Sequence, residues 1–309
     1  MTDFLRTIGS RVGDVFVSIG SGAITHTREN IQSLVDGISL GGPVGVEIFL
    51  PAFLILLGEG TALLVTLKVL HMIWTLLHEV QFMWKKPVVY SAQRDGPKRI
   101  LVLGDSTAYG TGADAPEDTI AGRLGRDFPH TSILNVAVNG SLVRDAITQL
   151  ERTDSQTFDL IVISTGGNDI LFRTSVTSLE RDLRRLLDQA IAKSNRRVVV
   201  LFYANLGQAP FFPAFIRSVI GRRTDIVHDV FARATDAVGL PLVELFITEK
   251  IHKYTSNPFF ENPDRYYAKD KMHPSSEGYR LWYNYLWSEL VARGFKFDER
   301  DATPPHTLP

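Results

Sequence analysis

Five short apolar runs follow Lys98, with amphipathic stretches between them, and this alternation limits the fold more than any other feature of the chain. The runs cover residues 99–103, 132–138, 159–164, 197–203 and 240–245. Several are rich in Val, Ile and Leu without polar alternation, as strands covered on both faces must be. Helical periodicity fills the gaps at 118–128, 141–152, 178–193 and 225–238, and a last helix is expected over about 275–292. Strands alternating with helices predict an α/β fold, a five-stranded parallel sheet with helices on both faces. Ligands in such sheets bind beyond the carboxyl ends of the strands.

The residues at those ends are polar or glycine-rich. The first run closes on Gly104-Asp105-Ser106 in "ILVLGDSTAYGTG"; the second leads to Asn139-Gly140-Ser141; the third leads to Gly166-Gly167-Asn168-Asp169. Before the last helix stands "DKMHPSSEGY", with Asp270, His273 and Pro274. Each block alone is ordinary turn or cap chemistry. Together they supply a hydroxyl, a glycine backbone, a side-chain amide and an Asp-x-x-His pair, the parts of serine acyl transfer. A serine hydroxyl is a weak nucleophile until a base takes its proton, and His273 is the natural base. Asp270 can accept from the other ring nitrogen. Pro274 suits the first position of the last helix, which would fix His273 at the helix start. The N–H groups of Ser106 and Gly140 and the amide of Asn168 are the available donors for a developing oxyanion. Asp105 and Asp169 read as residues that hold loops by hydrogen bonding, and His130, His228 and His252 as surface residues.

Other chemistries fit less well. Gly110, Gly112 and Ala115 make G-x-G-x-x-A, but Gly110 lies past the strand end instead of at the strand–helix turn, which disfavours a dinucleotide site. Ser106 is in no G-x-S-x-G elbow, and no H-E-x-x-H occurs. The chain has no cysteine, so thiol catalysis and Cys-ligated metal are excluded. With 33 Lys+Arg against 34 Asp+Glu, a formal charge of -1, no field favours nucleic acid.

The blocks resemble the SGNH subgroup of the GDSL hydrolases, named for Ser, Gly, Asn and His in four blocks. Ser106 falls in "LGDST", Gly140 in "NVAVNG", Asn168 in "GGND", and His273 in "DKMHP" with Asp270 ahead of it. The resemblance covers about residues 97–297. It implies a flavodoxin-like α/β/α sandwich and metal-free, cofactor-free hydrolysis of esters or thioesters. Ser106, Asp270 and His273 would be catalytic, with Ser106, Gly140 and Asn168 forming the oxyanion hole. Family substrates include simple esters, acyl-CoA, lysophospholipids and O-acetylated sugars. Phe211, Phe212, Phe215 and Ile216, after the fourth run, form an apolar cluster expected to wall an acyl chain. With the apolar N-terminal region they lean the reading toward lipid-like esters. A sugar O-acetyl deacetylase or acyltransferase is the alternative within the same chemistry. A membrane-tethered module that binds an acyl ligand without turning it over is the alternative outside it.

The sequence predicts an amphipathic region over 1–43, an apolar helical segment over 44–84, a linker over 85–96 and a disordered tail over 298–309. The stretch 44–77 is long enough to span a bilayer, but Glu59 lies near its middle, flanked by Gly58 and Gly60. Beyond it Lys68, His71, Thr75 and His78 recur at helical spacing as one polar stripe. That pattern suits a helix in a membrane interface, so membrane lipid is an expected partner; a soluble helical cap is the other reading. Lys85, Lys86, Arg94, Lys98 and Arg99 follow the segment, against Arg28 alone in the roughly 20 residues before it, which leans the catalytic domain to the cytoplasmic face.

Overall fold

The structure is a computed structural model. It describes residues 31–32, 54, 89–153, 156–194, 197–202, 205–245 and 258–294. The chain divides into two units, residues 1–80 and 81–309. Apart from Leu54, the apolar segment 44–84 lies outside the described residues, as do His252 and the tail; among those described, no helix is long and apolar enough to cross a membrane.

The second unit is built on five parallel strands: β1 (Arg99–Gly104), β2 (Ser132–Asn135), β3 (Leu160–Ser164), β4 (Val198–Phe202) and β5 (Leu242–Glu244), in the order β2-β1-β3-β4-β5. The helices are α1 (Ser106–Tyr109), α2 (Ile120–Asp127), α3 (Val143–Glu151), α4 (Gly167–Leu171), α5 (Val176–Ser194), α6 (Ala214–Val238), α7 (Pro258–Glu261), α8 (Pro263–Tyr266) and α9 (Ser276–Ala292).

Side chains alternate across a strand, so an unbroken apolar strand feeds two cores. Ile100 and Val102 of β1, with Leu160 and Val162 of β3, join α2 and α9 through Leu124, Tyr279 and Leu286. Leu101, Leu103, Ile161 and Ile163 point the other way, onto Ile147 and Leu150 of α3, Leu183 and Leu187 of α5, and Phe231 of α6. The result is the expected three-layer α/β/α sandwich. Burying each such side chain is worth about 1.5–3 kcal/mol before entropy is counted.

The strand order reverses direction between β1 and β3, whose ends meet at the pair Gly104–Ser164. Loops leaving these two strand ends diverge and open a crevice there, the usual ligand position in such sheets.

Three boundaries differ from expectation. The second strand stops at Asn135 instead of running to 138: the Asn135 amide donates to Ala108 O at 2.8 Å and its oxygen accepts from Ala137 N at 3.0 Å, which interrupts the regular ladder while Val136 N and Val138 N still reach Val102 O and Gly104 O. Helix α6 begins at Ala214, well before 225, and runs through Gly221. The turn at Leu206–Gln208 packs closely on that glycine: a Cβ on Gly207 would fall 2.6 Å from Gly221 N, and one on Gly221 would stand 3.2 Å from Asn205 Oδ1. Finally, Pro274 is not the first residue of the last helix. It bridges Tyr267, and Ser275 caps α9 by accepting from Gly278 N at 3.1 Å.

Candidate active site

Ser106 opens α1, a single helical turn set directly on the end of β1. Asp105, the cap of that turn, is buried and accepts from Thr107 N and Thr107 Oγ1, each at 3.0 Å. Thr107 Oγ1 thereby spends its proton, so Ser164 Oγ donates to it at 2.9 Å, tying the β1 turn to the end of β3. Gly104 is required where the strand turns: its φ is +137°, and a Cβ would stand 1.8 Å from Ser164 O.

His273 comes from the far end of the chain, on a tight loop closed by the Tyr267–Pro274 bridge and by Ala268 N donating to His273 O at 2.8 Å. Lys271 at the tip takes a left-handed φ of 57°. This brings Met272 N and His273 N onto Asp270 Oδ1, both at 2.9 Å. The other carboxylate oxygen, Oδ2, faces His273 Nδ1 at 2.7 Å, and His273 Nε2 lies 2.8 Å from Ser106 Oγ.

These contacts settle the proton positions. Burial pushes the Asp270 carboxyl up, but the His273 hydrogen bond and charge, with the two backbone N–H groups, outweigh it and hold the group below the usual carboxylate range. An ionised carboxylate only accepts, so Nδ1 carries the imidazole proton and Nε2 accepts from the serine hydroxyl. Asp270 and His273 are both buried, which strengthens the pair electrostatically. The arrangement can move a proton from Ser106 to His273 and stabilise the imidazolium that results.

The loops carrying the other two expected donors are cross-tied. Asn168 Nδ2 donates to Ser141 O at 3.0 Å, which leaves its second amide proton for the cavity it lines. Gly140, at a left-handed φ of 81°, is exposed and does not itself line the cavity. Thr111 Oγ1 reaches Asn139 Oδ1 at 2.9 Å, and Tyr279 of α9 holds Thr111 O at 2.8 Å. Asp169 holds a loop as expected: its Oδ2 accepts from Val143 N at 2.9 Å. Burial raises its carboxyl above the usual range against the hydrogen bonds from Thr174 and Val143. His228 is only partly exposed and pairs with Glu244 at 2.6 Å, away from the cavity.

The cavity beside Ser106 is small and opens to solvent. Ser106, Asn168 and His273 stand at its polar end, while Leu171, Leu206, Ala209, Phe259, Tyr267 and Trp282 make an apolar wall. The expected acyl wall needs correction. Phe212 is buried in the core, with Phe211 T-stacked on it at 5.0 Å, and neither lines the cavity. Phe215 and Ile216 fall on the first turn of α6 because that helix starts early; Phe215 is 72% exposed. From the segment after β4, Asn205, Leu206 and Ala209 line the cavity instead. Gly112, set aside with the G-x-G-x-x-A pattern, also has a place here. Its φ is +98°, and a Cβ would stand 2.9 Å from His273 Cβ and 2.4 Å from Pro274 O, so its bare backbone makes room for the histidine loop. Among the described residues no group of three His, Asp or Glu side chains gathers that could hold a metal ion.

A comparison with curated proteins finds no match for the chain. Solved structures similar to it include a lipase/acylhydrolase from Enterococcus faecalis, at 20% identity and a TM-score of 0.47, covering 70% of this chain and 100% of that one. A lipolytic protein of the G-D-S-L family from Veillonella parvula has 17% identity, a TM-score of 0.48, and coverage of 63% and 99%. The psychrotrophic esterase EstA from Pseudoalteromonas sp. has 18% identity, a TM-score of 0.47, and coverage of 63% and 98%. The family model for GDSL-like lipases and acylhydrolases matches residues 102–281, more than half of the chain and every block of the site. The chain belongs to the GDSL-like lipase/acylhydrolase family and is an ester-hydrolysing enzyme.

Proposed function

We propose that the protein hydrolyses carboxylic esters with an apolar acyl group, through an acyl-enzyme on Ser106. The observation that carries this reading is the unbroken chain Asp270–His273–Ser106, with contacts of 2.7 and 2.8 Å, ending at the mouth of an apolar-walled cavity. His273 takes the Ser106 proton as Oγ attacks the carbonyl carbon, and Asp270 stabilises the imidazolium. The carbonyl oxygen gains charge and is met by the Ser106 N–H, the Gly140 N–H and the free amide proton of Asn168. His273 then protonates the departing alcohol. Water, activated by the same imidazole, releases the acid. The acyl group lies against Leu206, Ala209, Phe259 and Trp282.

The test is a p-nitrophenyl ester series from acetate to laurate with wild type and Ser106→Ala. Turnover that rises with chain length and vanishes in Ser106→Ala supports the reading. Preference for acetate would move the substrate to O-acetyl groups. Diversion of the acyl group to an added alcohol in place of water would make the enzyme a transferase.

A further inference from the structure

The N–H of Gly104 poses a problem that the sheet does not solve. Strand β1 continues to Gly104, and the chain beyond β2 still donates to it, Val136 N to Val102 O at 3.0 Å and Val138 N to Gly104 O at 3.2 Å. The Gly104 N–H, two residues before Ser106, takes its acceptor from elsewhere. A buried N–H without an acceptor costs about 1–3 kcal/mol. The missing partner is a side chain. Gln149, on α3 and only 4% exposed, accepts from Gly104 N through Oε1 at 2.8 Å and donates to Gly104 O through Nε2 at 2.8 Å. Its amide makes the paired contacts a peptide group of a neighbouring strand would make. The second Nε2 proton goes to Ser141 Oγ at 3.0 Å.

Those two attachments reach all three oxyanion donors. Gly104 leads into the Ser106 N–H; Ser141 follows Gly140 directly; and Ser141 O is the acceptor that orients the Asn168 amide at 3.0 Å. We propose that Gln149 is the positioning residue of the oxyanion hole, one buried amide that sets the Ser106, Gly140 and Asn168 donors relative to one another. It touches no substrate, and this role rests on the hydrolase reading above. Donors misplaced by a fraction of an ångström lose transition-state stabilisation while ground-state binding in the apolar cavity is untouched.

Gln149→Met keeps the length of the side chain and removes its three contacts. Gln149→Glu keeps the acceptor for Gly104 N and loses both donations. Ser141→Ala removes only the link to the Gly140 loop and leaves the strand clamp, so it reports even if the Gln149 variants fold poorly. Each is assayed for kcat and KM on a p-nitrophenyl ester, with active molecules counted by exhaustive fluorophosphonate labelling, and for inhibition by an alkyl boronic acid, which forms a tetrahedral adduct. Per active molecule, Gln149→Met and Gln149→Glu should lower kcat about 10- to 100-fold with KM within about threefold, and Ser141→Ala about 3- to 10-fold. The boronate inhibition constant should rise in step with the kcat loss, which a residue that merely supports the fold would not cause. Unchanged kcat and boronate affinity per labelled molecule overturn the proposal. A rise in KM alone does the same. Wild-type protein that neither turns over esters nor labels overturns the hydrolase reading, and this proposal with it.

Discussion

Changing Asp270 to asparagine alters few atoms and should silence the enzyme. The carboxylate accepts three hydrogen bonds: from Met272 N and His273 N on one oxygen, and from His273 Nδ1 on the other. Asparagine can keep its oxygen under the two backbone donors, which turns its NH2 toward Nδ1. Two donors cannot face each other, so the imidazole shifts its proton to Nε2. That nitrogen then cannot accept from Ser106. The same swap in a serine protease of unrelated fold lowers kcat about 10⁴-fold, and a loss of about 10³–10⁴ with little change in KM is expected here. Asp270→Ala imposes no tautomer, so more activity should survive per folded molecule. It leaves the buried His273 N–H short of an acceptor, at about 1–3 kcal/mol, and the part-buried Met272 N–H with it, so it should be the less stable of the two. Steady-state kinetics and thermal melts on both variants test the crossing order, with Asn the less active and Ala the less stable. The wild-type carboxyl titrates below the usual range when folded. Its contribution to stability is therefore complete above the unfolded value near 3.9 and is lost as pH falls through the folded value. Below about pH 4 wild type should lose stability more steeply than Asp270→Asn. An Asp270→Asn enzyme within tenfold of wild type would refute the reasoning.

Ser106→Ala should abolish turnover and fluorophosphonate labelling with no loss of melting temperature, and chelators should leave wild type unchanged. Asn168→Ala should lower kcat about 10²-fold with a smaller effect on KM, and Asn168→Asp should be worse because it sets a negative charge against a developing one. Ala209→Phe should crowd the cavity and shift the ester preference to shorter acyl groups, whereas Phe215→Ala, exposed on α6, should leave the preference alone. Fractionation tests the N-terminal segment: the full chain should stay in a membrane pellet through a high-salt wash, and a chain beginning at Pro87 should be soluble and active on short esters. A full chain that is soluble without detergent would make the segment a structural cap.

The sheet was legible because β1, β3 and β4 are buried on both faces, so their apolar runs have no polar breaks to confuse the reading. The candidate site was legible because its blocks are short and local, three at strand ends and the fourth just before the last described helix. Contacts between distant segments left no comparable trace. Phe259, Tyr267 and Trp282 wall the cavity from positions more than 150 residues beyond Ser106, and no local pattern joins them to it. The early start of α6 was hidden by Gly221, which reads as a helix breaker until the close turn at Gly207 gives it a reason. Gln149 was invisible for a related cause. A glutamine in an amphipathic helix reads as a solvated residue, and only its contact with the Gly104 N–H, 45 residues away, gives it a buried task.

The bond between His273 and Ser106 joins positions 167 residues apart, from the first strand to the threshold of the last helix. A ribosome adding about 5–20 residues per second delivers the histidine some 8–33 s after the serine. Throughout that interval the hydroxyl exists with no base beside it. Truncated or stalled chains are in the same condition, however well their sheet has formed, because Asp270 and His273 are made after all five strands. On the proposed mechanism, ester cleavage is confined to molecules whose synthesis has passed His273, and a nascent chain that stops short of it is chemically silent.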